Sequence, residues 1–80
     1  MPTILITGAS RGIGLEFTRQ FSGDGWDVIA ACRNPSAAGD LNGMAGVEVH
    51  ALDVDNGDSV TALKSALGGR SIDVLLNNAG

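Results

Sequence analysis

The residues best equipped for chemistry cluster near the start of the chain. Thr7-Gly8-Ala9-Ser10-Arg11-Gly12-Ile13-Gly14 follows the apolar run Ile4-Leu5-Ile6 and precedes an amphipathic segment. That order predicts a strand, a glycine-rich turn and a helix. The three glycines have separable jobs: one permits the tight turn off the strand, one lets backbone approach a ligand, and one lets helix pack on strand. A helix N-terminus presents unpaired N–H groups and the positive end of a dipole, so it stabilises an anion placed there. The anion that fits a turn of this kind is a pyrophosphate, and Arg11 adds a positive charge. The spacing Gly8-x-x-x-Gly12-x-Gly14 is neither G-x-G-x-x-G nor G-x-x-x-x-G-K-[ST], and no Lys-Ser or Lys-Thr follows, so a kinase or NTPase reading fails. A glycine triplet alone is also compatible with a plain structural turn.

The second candidate is the end of the next apolar run, Asp27 to Arg33. In a dinucleotide-binding fold a carboxylate at this point accepts from the adenosine ribose hydroxyls and favours NAD. Here Cys32-Arg33 stands in that place. Without the acid nothing repels a 2′-phosphate, and Arg33 can bind one through charge-assisted, bidentate hydrogen bonds. Arg11 can approach the same phosphate, so the expected cofactor is NADP(H). The alternative is that Arg33 is a solvated strand-end charge. Asp53-Val54, after a third strand, would meet an adenine base, the carboxylate accepting from the exocyclic amine and the next N–H reaching a ring nitrogen. Those two residues also suit a turn leading into a helix.

Other reactive side chains offer less. Cys32 has no helix N-terminus or basic partner of its own and is expected to be a small buried or pocket-edge group. His50 is the only histidine, and a lone imidazole makes no metal site.

The elements that must hold these residues read as β-α-β-α-β-α-β. Residues 3–7 form a short, continuously apolar strand, as expected where both faces are covered. A helix from about Gly12 to Ser22 would bury Ile13, Phe17 and Phe21 at i, i+4 and i+8, and Gly23 or Gly25 would end it. Asn34-Pro35 suits an N-cap with Pro at the first helical position, opening a helix that Gly39, Asn42, Gly43 and Gly46 keep short or frayed. Val47 to Leu52 alternates like a half-exposed outer strand, which would turn His50 toward solvent or a neighbouring helix. Asp55 or Asn56 would cap a helix with Asp58 in its first turn and Val60, Leu63 and Leu67 buried, stopped by Gly68-Gly69. Ile72 to Asn77 is a fourth apolar strand. Right-handed crossovers then give the strand order 3-2-1-4, a doubly wound parallel sheet of Rossmann type.

Composition agrees. The 80 residues carry 44% hydrophobic side chains, no Tyr and few other aromatics, so Ile, Leu, Val and Ala must supply the core. A net charge of −4 argues against a nucleic-acid or anionic-membrane partner. One cysteine allows no intrachain disulfide, which points to the reducing cytosol. No stretch approaches the ~20 apolar residues that cross a bilayer. The hydrophobic fourth strand would lie at an open edge, which invites pairing. With the stop at Asn77-Asn78-Ala79-Gly80 just beyond it, this leads to the expectation that residues 1–80 are the N-terminal part of one dinucleotide-binding domain, truncated.

Thr7 to Gly14, together with Arg33 after the second strand, Leu52-Asp53-Val54 and Asn77-Asn78-Ala79-Gly80, resembles the short-chain dehydrogenase/reductase family across the whole chain. Cys32-Arg33-Asn34-Pro35 is similar to its carbonyl-reductase and C-factor-like branches. The resemblance implies that Gly8, Ser10, Arg11, Gly12, Ile13 and Gly14 surround the pyrophosphate and adenosine. It also implies that Arg33 and Asn34 flank the 2′-phosphate and that Asp53 and Val54 hold adenine. Asn78, Ala79 and Gly80 would line the ribose and nicotinamide, and Asn77 would tie the central strands. Such proteins transfer hydride to or from a carbonyl or alcohol, usually as homo-oligomers, using a Ser, an Asn and the Tyr and Lys of Tyr-x-x-x-Lys. This chain has no Tyr, so no catalytic residue carries over. It is expected to be the NADP(H)-binding portion of such an oxidoreductase, or else a stand-alone nucleotide-binding or interaction module.

Overall fold

A computed structural model describes residues 2–78. The elements are β1 (Thr3–Thr7), α1 (Gly12–Gly23), β2 (Asp27–Cys32), a 3-10 turn (Pro35–Ala37), α2 (Gly39–Asn42), β3 (Val47–Ala51), α3 (Gly57–Leu67) and β4 (Val74–Leu76). All three strand pairings are parallel and the order is β3-β2-β1-β4, a Rossmann-like sheet as the sequence predicts. Strand ends are one to three residues shorter than expected: β2 stops at Cys32, β3 at Ala51, and β4 keeps only Val74–Leu76. At the sheet's C-terminal end the chain must turn away into loops, and these loops carry the candidate site.

Period-two alternation divides the strands between two cores. Ile4, Ile6, Val28, Ala30 and Cys32 join Leu41 of α2, with Leu15 and Phe21 of α1 packed against them. Ala31, Leu52 and Leu63 form the second cluster, against which Leu5, Val60 and Leu67 pack. The helices therefore cover opposite faces, α1 and α2 on one and α3 on the other. Burying a leucine such as Leu63 contributes roughly 1.5–3 kcal/mol.

The inward face of α1 differs from the expectation. Ile13 is 68% exposed and Phe17 is 36% exposed, whereas Gly14 and Thr18 are buried. The line toward the sheet runs through Gly14, Thr18 and Phe21. A methyl on Gly14 would lie 2.1 Å from the Gly8 carbonyl oxygen, so only glycine lets the helix come this close to the end of β1. That approach rotates Ile13 and Phe17 outward. Thr18 satisfies its buried hydroxyl by donating to the Gly14 carbonyl at 2.8 Å, and Phe21 meets Trp26 edge to face with centroids 4.9 Å apart.

Asn34 also departs from the expectation. Pro35 does open a helical turn, but it is 3-10 in geometry and Asn34 provides no side-chain cap; its Oδ1 instead accepts from the Ser36 hydroxyl at 2.7 Å. The α3 boundaries follow the sequence: Asn56 is the cap and Gly68 closes the helix with φ at 59°. His50 is half-buried, its Nε2 3.3 Å from Glu48 Oε1. β4 lies at the sheet edge, with Leu75 63% exposed.

Candidate functional site

The loop after β1 is pinned at its start from both neighbouring strands. The Ala9 amide donates to the Ala31 carbonyl on β2 at 3.1 Å. The Thr7 hydroxyl donates to Asn77 Oδ1 at 3.0 Å and accepts from the Asn78 amide at 3.0 Å. Asn78 Nδ2 in turn donates to the Gly8 carbonyl at 3.3 Å. The link between central strands expected of Asn77 thus runs through Thr7, to which the sequence pattern assigns no role of its own. Its signal lay in its place, a hydroxyl at the last position of β1 opposite the end of β4.

Gly8 and Gly12 take φ of 62° and 58°, a left-handed backbone that suits glycine. Between them the chain reverses so that α1 begins at the mouth of a cleft of about 700 Å³. Gly8, Ser10, Arg11, Gly12 and Ile13 line one side of it, and Cys32, Arg33 and Asn34 line another. Leu52, Val54, Asp55 and Asn78 complete the wall. Gly14 does not line the cleft; its contribution is the close packing that sets the loop. Ala79 and Gly80 lie outside the described residues.

The two long helices treat their N-termini differently. At α3, Asn56 Oδ1 accepts from the amides of Asp58 at 2.9 Å and Ser59 at 3.4 Å, and the Asp58 carboxylate lies in the first turn. At α1, the cap residue Arg11 is extended and makes no side-chain cap, and no acid lies in the first turn. The first-turn N–H groups and the positive dipole end of α1 are thus left to whatever occupies the cleft, which Gly12 and Ile13 border. Exposed Ile13 provides an apolar surface there.

Asp53 is used locally. Its amide donates to the Ser59 hydroxyl at 2.8 Å and its Oδ1 accepts from the Asp55 amide at 3.0 Å, forming the turn that leads into α3. Val54 is exposed on the cleft wall, of which Asp53 is not a member. Arg33 does not stand alone: its Nη2 is 3.6 Å from Asp55 Oδ2, with the side chains 73% and 82% exposed. An exposed pair of this length contributes about 0–1 kcal/mol. From sequence alone Asp55 reads only as a helix cap.

Burial pushes the Cys32 thiol above its ordinary range, opposed by a hydrogen bond from the Asn34 backbone. A protonated, 3% exposed thiol is a poor nucleophile, and Cys32 serves as a cleft-edge packing group. Among the described residues no group of three or more His, Cys, Asp or Glu is placed to hold a metal ion, and no helix is long and apolar enough to cross a membrane.

The model of the short chain dehydrogenase family matches residues 2–80. Serine 3-dehydrogenase of Agrobacterium fabrum is 40% identical over 82 residues, covering 98% of this chain and 33% of the relative. Carbonyl reductase (NADPH) 1 of Mus musculus is 39% identical over 97 residues, covering 99% and 31%. A crystal structure of a carbonyl reductase from Pseudomonas aeruginosa PAO1 in complex with NADP superposes with a TM-score of 0.90 at 35% identity, covering 100% of this chain and 39% of that one. The chain belongs to the short-chain dehydrogenase family of oxidoreductases. It spans about a third of the length of the curated relatives it matches.

Proposed function

We propose that the cleft binds NADP(H) and that these residues form the N-terminal, cofactor-holding part of a single dinucleotide-binding domain. The observation that carries this reading is the N-terminus of α1, left without its own cap or acid where Gly12, Arg11 and Arg33 border a cleft of dinucleotide size. Gly8, Ser10, Gly12 and Ile13 would hold the pyrophosphate on backbone N–H groups, with Gly14 setting the helix approach. Arg11, Arg33 and Asn34 would meet the 2′-phosphate through charge-assisted hydrogen bonds. Leu52 and Val54 would flank the adenine, and the Asp53 carboxylate, whose Oδ1 also accepts from the Asp55 amide, would accept a hydrogen bond from its exocyclic amine. Asn78, with Ala79 and Gly80, would line the ribose and nicotinamide side.

The cofactor would supply or accept hydride, and the substrate class is a small carbonyl or alcohol. Tyr-x-x-x-Lys does not occur in these residues, so their part in the reaction is to bind and orient. In a protein that also carries the family's Ser, Tyr and Lys, the N-terminus of α1 would fix the pyrophosphate and thereby the position of the nicotinamide. The relatives named for NADPH and NADP support the cofactor choice, and the single cysteine fits a reducing cytosolic setting.

The test is fluorescence titration of the full-length protein carrying this chain with NADPH and NADH, before and after Arg33→Asp. We expect NADPH to bind more tightly than NADH, and Arg33→Asp to reverse that order. Unchanged NADPH affinity in Arg33→Asp, with NADH still weak, would overturn the assignment.

A further inference from the structure

We infer that Asp55 is a specificity-determining residue of this cleft: it holds Arg33 as a counter-ion, competes with a 2′-phosphate, and thereby narrows the preference for NADPH over NADH. The inference rests on the NADP(H) reading above and adds a residue to it.

The placement follows from strand register. Cys32 of β2 pairs with Ala51 of β3, and the Leu52 amide donates to the Cys32 carbonyl at 2.8 Å. The two strands therefore release their chains side by side, Arg33 immediately and Asp55 four residues after Ala51. The turn that presents Asp55 is held by backbone and neighbours. The Asp55 amide donates to Asp53 Oδ1, the Asn56 amide to the Asp53 carbonyl, and the Asp53 amide to Ser59 Oγ. The carboxylate is not what holds this turn, so it is available to the guanidinium and can be altered without undoing the fold.

At 3.6 Å the Arg33–Asp55 contact is an ion pair looser than a charge-assisted hydrogen bond. Both side chains are largely solvated, so the pair exchanges readily for a stronger anion. A 2′-phosphate carries more negative charge than a carboxylate and offers three acceptor oxygens. It can take Arg33, but it must do so beside Asp55, which also lines the cleft. The two anions repel one another across one guanidinium. A 2′-hydroxyl meets the opposite situation, because a carboxylate accepts from it. The same side chain therefore opposes NADPH and tolerates NADH.

The test is Asp55→Asn in the full-length protein, titrated with NADPH and with NADH at about 20 mM and about 500 mM salt, where screening lengths differ severalfold. The expected result is about a three- to tenfold lower Kd for NADPH at low salt, the effect shrinking at high salt, with no tightening of NADH. Asp58→Asn, which removes the same charge from a residue outside the cleft wall, should alter neither Kd. An unchanged or raised NADPH Kd in Asp55→Asn, equal tightening of both cofactors, or the same gain from Asp58→Asn would overturn the inference while leaving the NADP(H) reading intact. A wild-type protein that fails to bind NADPH would overturn both.

Discussion

Gly14→Ala isolates the contact on which the loop geometry depends. The added methyl would lie 2.1 Å from the Gly8 carbonyl oxygen, 2.9 Å from the Gly8 carbonyl carbon and 2.6 Å from Asn78 Nδ2. A C···O approach normally stops at about 3.3 Å, so α1 and the end of β1 must part by roughly 1 Å. Asn78 could swing aside, but the Gly8 carbonyl is backbone, in the residue after β1. Overpacking of this kind costs about 1–3 kcal/mol and occasionally more, against which alanine recovers up to about 1 kcal/mol of helix propensity. The expected net loss is about 2 kcal/mol. A typical domain is stable by roughly 5–15 kcal/mol, so the loss is a large share of that. Urea unfolding followed by circular dichroism should show a midpoint lower by roughly 1–2 M. NADPH affinity should fall at least about tenfold, because Gly8 and Asn78 both border the cleft. Gly23→Ala on the same helix is the control. An alanine there meets nothing within 4 Å and should raise stability by a few tenths to about 1 kcal/mol. If Gly14→Ala unfolds at the wild-type midpoint, or moves in the same direction as Gly23→Ala, close packing is not what requires glycine at that position.

Two further perturbations probe other parts of the structure. Thr7→Val keeps the side-chain shape but removes the acceptor for the Asn78 amide and the donor to Asn77. We expect a loss of about 1–3 kcal/mol in urea unfolding together with weaker NADPH binding; wild-type values for both would refute the linking role. On β3, the hydrogen bond from Arg70 holds the Glu48 carboxyl below its ordinary range, with smaller help from His50. A depressed folded-state pKa contributes stability that is present above the unfolded-state value and lost as pH falls through the folded one. Stability should therefore decline below about pH 4.5. Arg70→Gln should raise the Glu48 pKa measured by carbon NMR and flatten that part of the acid limb; an unmoved Glu48 titration would show that Arg70 is not its main partner.

Much of the fold was legible because its signals are local. Asn56 with Asp58 marks the start of α3 and Gly68 its end, both readable from the chemistry of the helix ends. The apolar runs of β1 and β2 identify central strands, and right-handed crossovers then leave few arrangements other than 3-2-1-4. The inward face of α1 was not legible in the same way. Ile13-Phe17-Phe21 and Gly14-Thr18-Phe21 are both valid helical stripes, and hydrophobicity alone favours the first. The second lies inward because α1 approaches β1 to within backbone contact, and the atom that sets this distance, the Gly8 carbonyl oxygen, belongs to a residue outside the helix.

The candidate site divides along the same line. Thr7 to Gly14 determined by itself that a strand would run through a glycine turn into a helix N-terminus, since φ preferences and hydrogen-bonding capacity belong to individual residues. Whether a cleft would open beside that N-terminus depended on where β2 and β3 end. Those ends decided that Arg33 would meet Asp55, 22 residues away in the chain, and the pairing of β1 with β4 decided that Thr7 would reach Asn77, 70 residues away. Residue type sets what a side chain can do, while its partner is chosen by packing among distant segments, and only the tertiary structure brings those segments together.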